Sequence, residues 1–295
     1  MDLDKLDIVI GRENISATIF VPYDCENRCN FCTTKQFYKD ILPFEETIVK
    51  MEKEIKRFCE LGLTIFTLTG GEPLADLKRC KIIIELIKKH CLFPDELTIY
   101  VNSSLPKGEG VENIIDFLND PDNHIDGISV SRHRNTLEKD LKLLRNVFED
   151  ELIAKIKPSV RINCLVTPAI DVDLFVKRGS SYSNIKINFR ANYMRINQDN
   201  LHEEDQFFNQ LSERFKFIQH TECNVCNTDT FVNEETNQLI SYHKGIFTTA
   251  IVKDNELEIN DFVIDMFGDS YFDWLFDDKH KVTDELIDKI NEKYV

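Results

Sequence analysis

The feature that most constrains this fold is a regular alternation of apolar runs with segments of helical periodicity. The alternation begins at residues 16–23, a run rich in isoleucine, valine and phenylalanine that is typical of a buried strand. Five further strand-like runs follow, each after a stretch in which apolar residues recur every three or four positions. This alternation predicts an α/β fold with a parallel sheet and helices outside it. Periodicity alone leaves open whether the sheet is doubly wound or an open partial barrel.

Six strands and five helices are predicted from this pattern. The strands are expected at residues 16–23, 63–69, 97–102, 127–131, 159–166 and 184–190. The helices are expected at residues 45–61, 76–90, 111–118, 136–148 and 171–176.

The pattern changes after about residue 200, which predicts a second part of the chain. Helices are expected at residues 201–215 and 283–294. Between them, residues 230–274 predict short antiparallel strands, with turn signals at 233–237, 253–255 and 268–269. We therefore expect an α/β domain at residues 1–199 and a small α+β extension at 200–295 that packs on it and covers it.

Composition and charge exclude several classes of protein. The chain has 295 residues, a formal net charge of −16 and 42% hydrophobic residues, enough apolar side chain for a sizeable core. No apolar run approaches the roughly 18 residues of a membrane span, and acidic residues stand where a secretory signal is basic. The acidic balance repels phosphate backbones, which argues against general nucleic-acid binding. The chain has nine cysteines, an odd number, which argues against a framework of disulfides. Together with the acidic N-terminal residues, this predicts a cytoplasmic protein with reduced thiols.

Three of the nine cysteines form the most informative motif. Cys25, Cys29 and Cys32 follow the first predicted strand at spacings of four and three residues, so their thiolates can converge on one centre. Soft thiolates select zinc or iron–sulfur clusters. A structural zinc site takes four ligands, whereas three clustered cysteines suit a four-iron cluster that keeps one iron open. The scattered cysteines lie on apolar faces and are predicted core residues, namely Cys59, Cys80, Cys91 and Cys164.

A second motif ends the strand predicted at residues 63–69. Gly70, Gly71, Glu72 and Pro73 follow its last residue and precede a predicted helix. Glycines there let the backbone approach a ligand, and parallel sheets bind their ligands at this edge. The backbone carbonyls and the Glu72 carboxylate are suited to accept hydrogen bonds from an ammonium group. The motif is neither GxGxxG nor a P-loop, so it does not indicate binding of nucleotide phosphates.

Together the two motifs resemble the radical S-adenosylmethionine (SAM) superfamily, over about residues 16–190. The resemblance implies an open partial (β/α)6 barrel, which selects between the two architectures above. It implies that Cys25, Cys29 and Cys32 hold a [4Fe-4S] cluster whose fourth iron binds SAM through its amino and carboxylate groups. It also implies that the segment from Gly70 to Pro73 meets the methionyl amino group.

The same resemblance implies further cofactor and substrate residues. Phe31, the aromatic residue before the third cysteine, is implied to lie beside the adenine of SAM. Other candidates stand at the ends of predicted strands or just beyond them. For cofactor binding they are Ser103, Ser131 and Arg190, and for substrate binding they are Asn102 and His133.

The chemistry implied by the resemblance is reductive cleavage of SAM. The products are methionine and a 5′-deoxyadenosyl radical, which abstracts a hydrogen atom from a small-molecule substrate. A flavodoxin- or ferredoxin-type protein is the implied electron donor. The enzyme would be of the oxidoreductase or lyase type, and the sequence assigns no catalytic residue to the fate of the substrate radical.

A second candidate metal site lies in the C-terminal extension. Cys223 and Cys226 form a CxxC pair just after His220, which fits half of a metal site. The extension loosely resembles the branch that contains the GTP cyclase of molybdenum cofactor synthesis, whose extension holds an auxiliary cluster on three or more cysteines. No cysteine follows Cys226. Three interpretations stay open: an auxiliary metal or cluster completed by a residue such as His220, a redox pair, and a structural role.

Three other functions also stay open. Glycyl-radical enzyme activases belong to the same superfamily but are shorter. Peptide-modifying members carry about seven cysteines in their extension, more than this chain has there. A non-catalytic iron–sulfur or zinc protein would use Cys25, Cys29 and Cys32 structurally, and the intact Gly70–Pro73 segment argues against it.

Overall fold

The computed structural model describes residues 5–11, 15–21, 25, 32, 43–105, 110–132, 150–167, 170–173, 176–177 and 185–294. Within these ranges it confirms the α/β class, with parallel strands and intervening helices. The helix predicted at 136–148 lies outside the described residues. Of the one predicted at 171–176, only residues 174 and 175 lie outside them, and residues 172, 173 and 176 are helical. None of the described helices combines the length and apolar character that crossing a membrane requires.

Fourteen strands and six helices lie within the described ranges. The strands are β1 (Asp7–Ile10), β2 (Ser16–Val21), β3 (Ile65–Gly70), β4 (Thr98–Ser103), β5 (Gly127–Ser131), β6 (Ser159–Leu165), β7 (Ile185–Arg190), β8 (Lys216–Cys223), β9 (Cys226–Asn233), β10 (Gln238–Gly245), β11 (Ala250–Lys253), β12 (Glu256–Ile259), β13 (Asp261–Ile264) and β14 (Ser270–Tyr271). The helices are α1 (Phe44–Glu60), α2 (Leu77–His90), α3 (Val111–Asn119), α4 (Asp150–Ile153), α5 (Gln206–Ser212) and α6 (Asp284–Tyr294).

The chain divides into two compact units, each built from separate stretches of sequence. The first comprises Met1–Asn102, Asp120–Asp126 and Thr248–Val295, and the second comprises Ser103–Asn119 and Gly127–Phe247. The division into an α/β domain at residues 1–199 and an extension at 200–295 stays a prediction.

The first unit contains a sheet in which β2, β3 and β4 run parallel, as the sequence predicts. The side chains of β2 are almost all buried, which suits a parallel strand covered on both faces. Helix α1 is amphipathic and buries Met51, Ile55 and Phe58 along one side. Phe58 stacks on Phe262 of β13, at a ring-centroid distance of 4.7 Å.

The C-terminal strands of the first unit depart from the antiparallel pattern expected for residues 230–274. The hairpins β11/β12 and β13/β14 are antiparallel, but β13 pairs with β2 in parallel and β12 pairs with β1 in parallel. A sheet edge presents unpaired backbone N–H and C=O groups. Strands β12 and β13 form backbone hydrogen bonds with the edges of β1 and β2. The direction of each is therefore set by this parallel partner as well as by its hairpin turn.

The second unit has the strand order β5-β6-β7-β10-β9-β8. Strands β5, β6 and β7 are parallel, β10 joins β7 in parallel, and β8, β9 and β10 form an antiparallel meander. An aromatic core lies beneath β7, β9 and β10, where Phe189 and Tyr242 both pack edge-on against Phe207. Helix α5 is shorter than the predicted helix at 201–215, because Asp205 caps it and the chain then enters β8.

Candidate functional site

Two of the three predicted cluster ligands are described, and both lie shortly after β2 in the first unit. Cys25 follows the last residue of β2 by four positions and is 8% exposed, and Cys32 is half-buried. Neither thiol forms a disulfide. Cys29 and Phe31 lie outside the described residues. The described part of the motif therefore offers soft sulfur donors in a protected position, which is the donor chemistry an iron–sulfur cluster requires.

The segment from Gly70 to Pro73 follows β3, which lies beside β2, the strand that precedes the cysteine motif. Strands β2 and β3 are parallel, and the last residue of β2, Val21, pairs with the last residue of β3, Gly70. The two strands therefore end side by side within one unit. That the cysteine segment and the glycine segment form one site stays a prediction.

Gly70 has a packing role that the sequence argument did not anticipate. Its φ is +120°, and a Cβ built there would lie 3.0 Å from the carbonyl oxygen and 3.1 Å from the nitrogen of Val21. A side chain would therefore collide with the backbone of β2. We expected this glycine to allow close approach of a ligand. The contacts show that its missing side chain allows β2 to pack closely against β3.

Glu72 and Pro73 begin a short, buried turn. The Glu72 carboxylate accepts a hydrogen bond of 3.3 Å from the backbone N–H of Leu74, and Pro73 opens the 3-10 turn Pro73–Ala75. The Cys80 thiol of α2 donates to the Pro73 carbonyl at 2.9 Å. Burial raises the pKa of the Cys80 thiol, so this cysteine behaves as a neutral core residue and not as a ligand. The turn is therefore held from both sides, with the Glu72 carboxylate only 5% exposed.

Asn102 and Ser103 end strand β4. The Asn102 side chain is half-buried. The Ser103 hydroxyl is buried and accepts a 2.8 Å hydrogen bond from the backbone N–H of Leu105, which has a positive φ of 56°. Ser103 thus stabilises a strained turn, and a cofactor role for it stays a prediction.

Ser131 and Arg190 end strands β5 and β7 of the second unit. Ser131 pairs in register with Asn163 of β6, and Arg190 pairs with Leu165 of β6 and with His243 of β10. Parallel strands place these residues along one edge, so the structure gathers two predicted cofactor residues at the carboxyl ends of the unit's strands. His133 lies outside the described residues.

A polar network covers one face of this sheet, and sequence analysis missed it. The Arg161 guanidinium donates to the Ser129 hydroxyl at 2.9 and 3.3 Å. The Asn188 amide donates to the Asn163 side-chain oxygen at 2.9 Å, and the Ser241 hydroxyl donates to the Asn188 oxygen at 2.9 Å. The first contact joins β6 to β5, and the other two join β6, β7 and β10.

A signal for this network was present in the sequence. In β6 and β7, polar residues alternate with apolar ones, at Arg161 and Asn163 and at Lys186, Asn188 and Arg190. A parallel strand covered on both faces is apolar throughout, so period-two polarity marks a face that is not filled by apolar packing.

Arg190 ends β7 with an exposed side chain, and its guanidinium lies near that of Arg161. Desolvation of the guanidinium and the positive charge of Arg161 both lower the pKa of Arg190 from the usual value. Two neighbouring guanidinium groups favour an anionic partner, because like charges destabilise each other unless an opposite charge lies between them.

The second candidate metal site is only partly assembled. The Sγ atoms of Cys223 and Cys226 lie 2.9 Å apart, at the end of the β8/β9 hairpin. The ring of His220 is turned to carboxylates instead, with Nδ1 2.7 Å from Asp229 and Nε2 3.2 Å from Glu222. These carboxylates raise the pKa of His220. Among the residues that the structure describes, no group of three or more His, Cys, Asp or Glu side chains is arranged to hold a metal ion.

Comparison with protein families gives one match that spans both motifs. The family model of the Radical SAM superfamily matches residues 19–178, which is more than half of the chain. The matched region begins within β2 and contains the cysteine motif and the Gly70–Pro73 segment.

Similar proteins of known activity share only low sequence identity with this chain. GTP 3′,8-cyclase of Staphylococcus haemolyticus is 24% identical over 198 residues, which are 65% of this chain and 57% of that protein. GTP 3′,8-cyclase of Aquifex aeolicus is 26% identical over 238 residues, which are 74% and 69% of the two chains. The chain thus spans less than two thirds of the length of the first of these relatives.

Solved structures share the fold. The histidine-tagged protein anSMEcpe with bound AdoMet matches 96% of this chain and 82% of its own, with a TM-score of 0.57 and 17% identity. Streptococcus suis SuiB bound to S-adenosylmethionine matches 96% and 64%, with a TM-score of 0.57 and 11% identity. At these identities the likeness concerns the fold alone.

Proposed function

The chain belongs to the radical SAM superfamily, and from this premise we propose that it is an enzyme that cleaves S-adenosylmethionine reductively and acts on a small-molecule substrate. The observation that supports this most directly is the pairing of Val21 with Gly70. In this pairing β2 and β3, the strands that precede the cysteine motif and the Gly70–Pro73 segment, end side by side inside the region that matches the family.

The residues at this edge suit the two cofactors of the family. Cys25 and Cys32 are protected thiols outside any disulfide, and with Cys29 they supply three sulfur ligands for a four-iron cluster. The cluster and SAM supply the electron and the hydrogen-abstracting radical when they are bound. The protein positions the reacting groups and excludes water and oxygen.

The Gly70–Pro73 segment offers hydrogen-bond acceptors to the methionyl ammonium group. Its backbone is fixed by the 3-10 turn and by the Cys80 thiol, and Glu72 adds a buried negative charge nearby. The backbone carbonyls and the Glu72 carboxylate are acceptors of the kind that an ammonium group requires. We therefore assign this segment to the amino group of SAM, and Phe31 to its adenine.

The second unit supplies the groups that suit an anion. Arg161 of β6 lies close enough to lower the pKa of Arg190, which ends β7 as Ser131 ends β5. We assign Arg190 to the carboxylate of SAM or to an acidic group of the substrate. Ser103, Asn102 and His133 stay candidates for cofactor or substrate contacts.

A small-molecule substrate is the second part of the proposal. It is supported by the similarity to proteins named GTP 3′,8-cyclases, which makes GTP the first compound to test. A flavodoxin- or ferredoxin-type donor would deliver the electron.

The cofactor assignment is tested by anaerobic reconstitution with iron and sulfide. We expect about four irons per chain in the wild type and a change in the EPR spectrum of the reduced cluster when SAM is added. Cys25→Ala and Cys32→Ala should lose the iron, and Cys91→Ala, which removes a half-buried thiol at the end of α2, should keep it. Stoichiometric zinc without iron would overturn the proposal.

The substrate assignment is tested with the reconstituted enzyme. GTP is compared with ATP and with a mixture of short peptides for stimulation of 5′-deoxyadenosine release. Stimulation by GTP alone supports a nucleotide substrate, and stimulation by the peptides alone contradicts the small-molecule assignment while leaving the cofactor assignment intact.

A further inference from the structure

We propose that Cys223 and Cys226 are a reversible redox site, which forms an intrachain disulfide across the end of the β8/β9 hairpin. The two residues are direct cross-strand partners in the antiparallel register, and their Sγ atoms lie 2.9 Å apart. A disulfide needs a sulfur–sulfur distance of about 2.05 Å and Cα atoms about 4.4–6.8 Å apart. Directly opposed antiparallel residues have Cα atoms about 4.5–5.5 Å apart, so the bond can form without moving the strands.

The turn between the two cysteines is anchored on both sides. The carbonyl of Asn224 accepts a hydrogen bond from the Gln198 side chain at 2.9 Å, and the carbonyl of Val225 accepts one from Ile246 N–H at 3.0 Å. Val225 itself is 2% exposed. Because the hairpin end is already ordered, closing the disulfide costs little further conformational entropy.

The surroundings of Cys226 favour reaction with an external disulfide. Both cysteines are half-buried, so a small oxidant can reach them. The cross-strand partner of Cys226 on β10 is Gly245, which contributes no side chain to that position.

The geometry separates this site from the metal site that the sequence also allowed. Cys223 and His220 are three positions apart on β8, so their side chains point to opposite faces of the sheet. On its own face, His220 contacts Asp229 and Glu222, whereas the two cysteines contact each other. A dithiol accounts for this arrangement better than a ligand set that includes His220.

The reaction with glutathione disulfide balances as a two-electron exchange. The Cys226 thiol loses its proton and its sulfur attacks glutathione disulfide, which forms a mixed disulfide and releases one glutathione. The Cys223 sulfur then attacks the Cys226 sulfur, which forms the protein disulfide and releases the second glutathione. The two protons lost by the cysteines end on the two glutathione thiols, and two electrons pass from the protein to glutathione.

The test follows the full-length, cluster-loaded chain in anaerobic buffers stepped from reduced to oxidised glutathione. Samples are quenched with acid, alkylated and digested with trypsin. Both cysteines fall in one peptide, residues 217–244, which contains no other cysteine. A disulfide therefore appears as a peptide that has lost two hydrogens and carries no alkyl group.

We expect most of this peptide to be in the disulfide form in the most oxidising buffer and to return to the dithiol after reduction. Cys59 is the internal control, because burial raises its pKa to about 12 and should keep that thiol inert. In Cys223→Ser, glutathione should accumulate on Cys226 as a mixed disulfide, since no partner thiol remains to displace it.

Two results would overturn the proposal. One is a peptide that stays fully alkylated, or carries only glutathione adducts in the wild type, across the whole series. The other is stoichiometric zinc or extra iron that is lost in both Cys223→Ser and Cys226→Ser, which would make the pair a metal site. Neither outcome bears on the cluster at Cys25, so failure here is distinguishable from failure of the proposed function.

Discussion

Replacing Gly70 by alanine tests the physical reason for the glycine that ends β3. An alanine there must adopt a φ of +120° and place its Cβ 3.0 Å from the carbonyl oxygen of Val21 and 3.3 Å from the Cα of Phe20. These are backbone atoms of the adjacent strand, so they cannot rotate away as a side chain would. The positive φ costs about 1–2 kcal/mol and the overpacking about 1–3 kcal/mol, which together lower the free energy of unfolding by about 2–5 kcal/mol.

Gly62→Ala is the matched control. Gly62 also has a positive φ, +82°, but the nearest atom to a Cβ there is Cε2 of Phe93 at 3.8 Å, an ordinary contact. This substitution should therefore cost only the backbone component, about 1–2 kcal/mol. Both glycines lie in the first unit, so both effects are read from the same unfolding transition.

The assay is urea unfolding of both variants and of the wild type, followed by circular dichroism under reducing, anaerobic conditions. The reasoning requires Gly70→Ala to be less stable than Gly62→Ala by about 1–3 kcal/mol, with unchanged m-values. Equal losses in the two variants would refute the packing argument. If equal losses came with abolished SAM binding in Gly70→Ala alone, close approach of the ligand would be the reason for this glycine.

Two further predictions concern stability and its pH dependence. Tyr242 donates a 2.6 Å hydrogen bond to the Asp205 carboxylate that caps α5, so Tyr242→Phe should lower the free energy of unfolding by about 1.5–3 kcal/mol, and urea titration measures the loss. Burial raises the pKa of Asp265 from 3.8 to about 6, although Oδ1 accepts hydrogen bonds from the N–H groups of Phe267 and Asp269. Because the folded state then holds the proton more tightly than the unfolded state, ionisation of Asp265 destabilises the wild type as the pH rises from about 4 to about 6. Asp265→Asn lacks this ionisation, so its free energy of unfolding relative to the wild type should rise by about 3 kcal/mol between about pH 4 and pH 6. A difference in unfolding free energy that stays constant with pH would contradict this prediction.

Local periodicity was sufficient to predict much of the fold. The helix expected at residues 45–61 is Phe44–Glu60, and the strand expected at 127–131 is Gly127–Ser131. These elements carry their own signal, because the positions they bury recur with the period of the element. The helix expected at 201–215 was too long because the capping signal of Asp205 was not used.

Strand pairing in the C-terminal part could not be predicted in the same way. The parallel pairing of β13 with β2 brings together residues as far apart as Ser16 and Asp261, whose side chains form a 2.9 Å hydrogen bond. Turn residues identify hairpins, but they do not say which distant edge a strand will join. The sequence therefore predicted the strands as elements without their parallel partners.

The residues of the candidate site show the same difference between local and long-range signals. Cys25 and the Gly70–Pro73 segment were identified because each motif is contiguous in sequence. The polar contacts on β5, β6, β7 and β10 were missed, because each joins side chains of different strands, as Arg161 with Ser129 and Ser241 with Asn188 do. Likewise, the spacing of Cys223 and Cys226 fits a metal site or a redox pair, and only their register and sulfur contact favour the latter.

The central claim is that the cysteine motif supports reductive cleavage of SAM. It is tested most directly by measuring 5′-deoxyadenosine after anaerobic reconstitution, reduction with dithionite and addition of SAM, with and without GTP. We predict release of 5′-deoxyadenosine by the wild type and by Cys91→Ala, and none by Cys29→Ala. A wild-type chain that carries its full complement of iron and releases none under either condition would contradict the account.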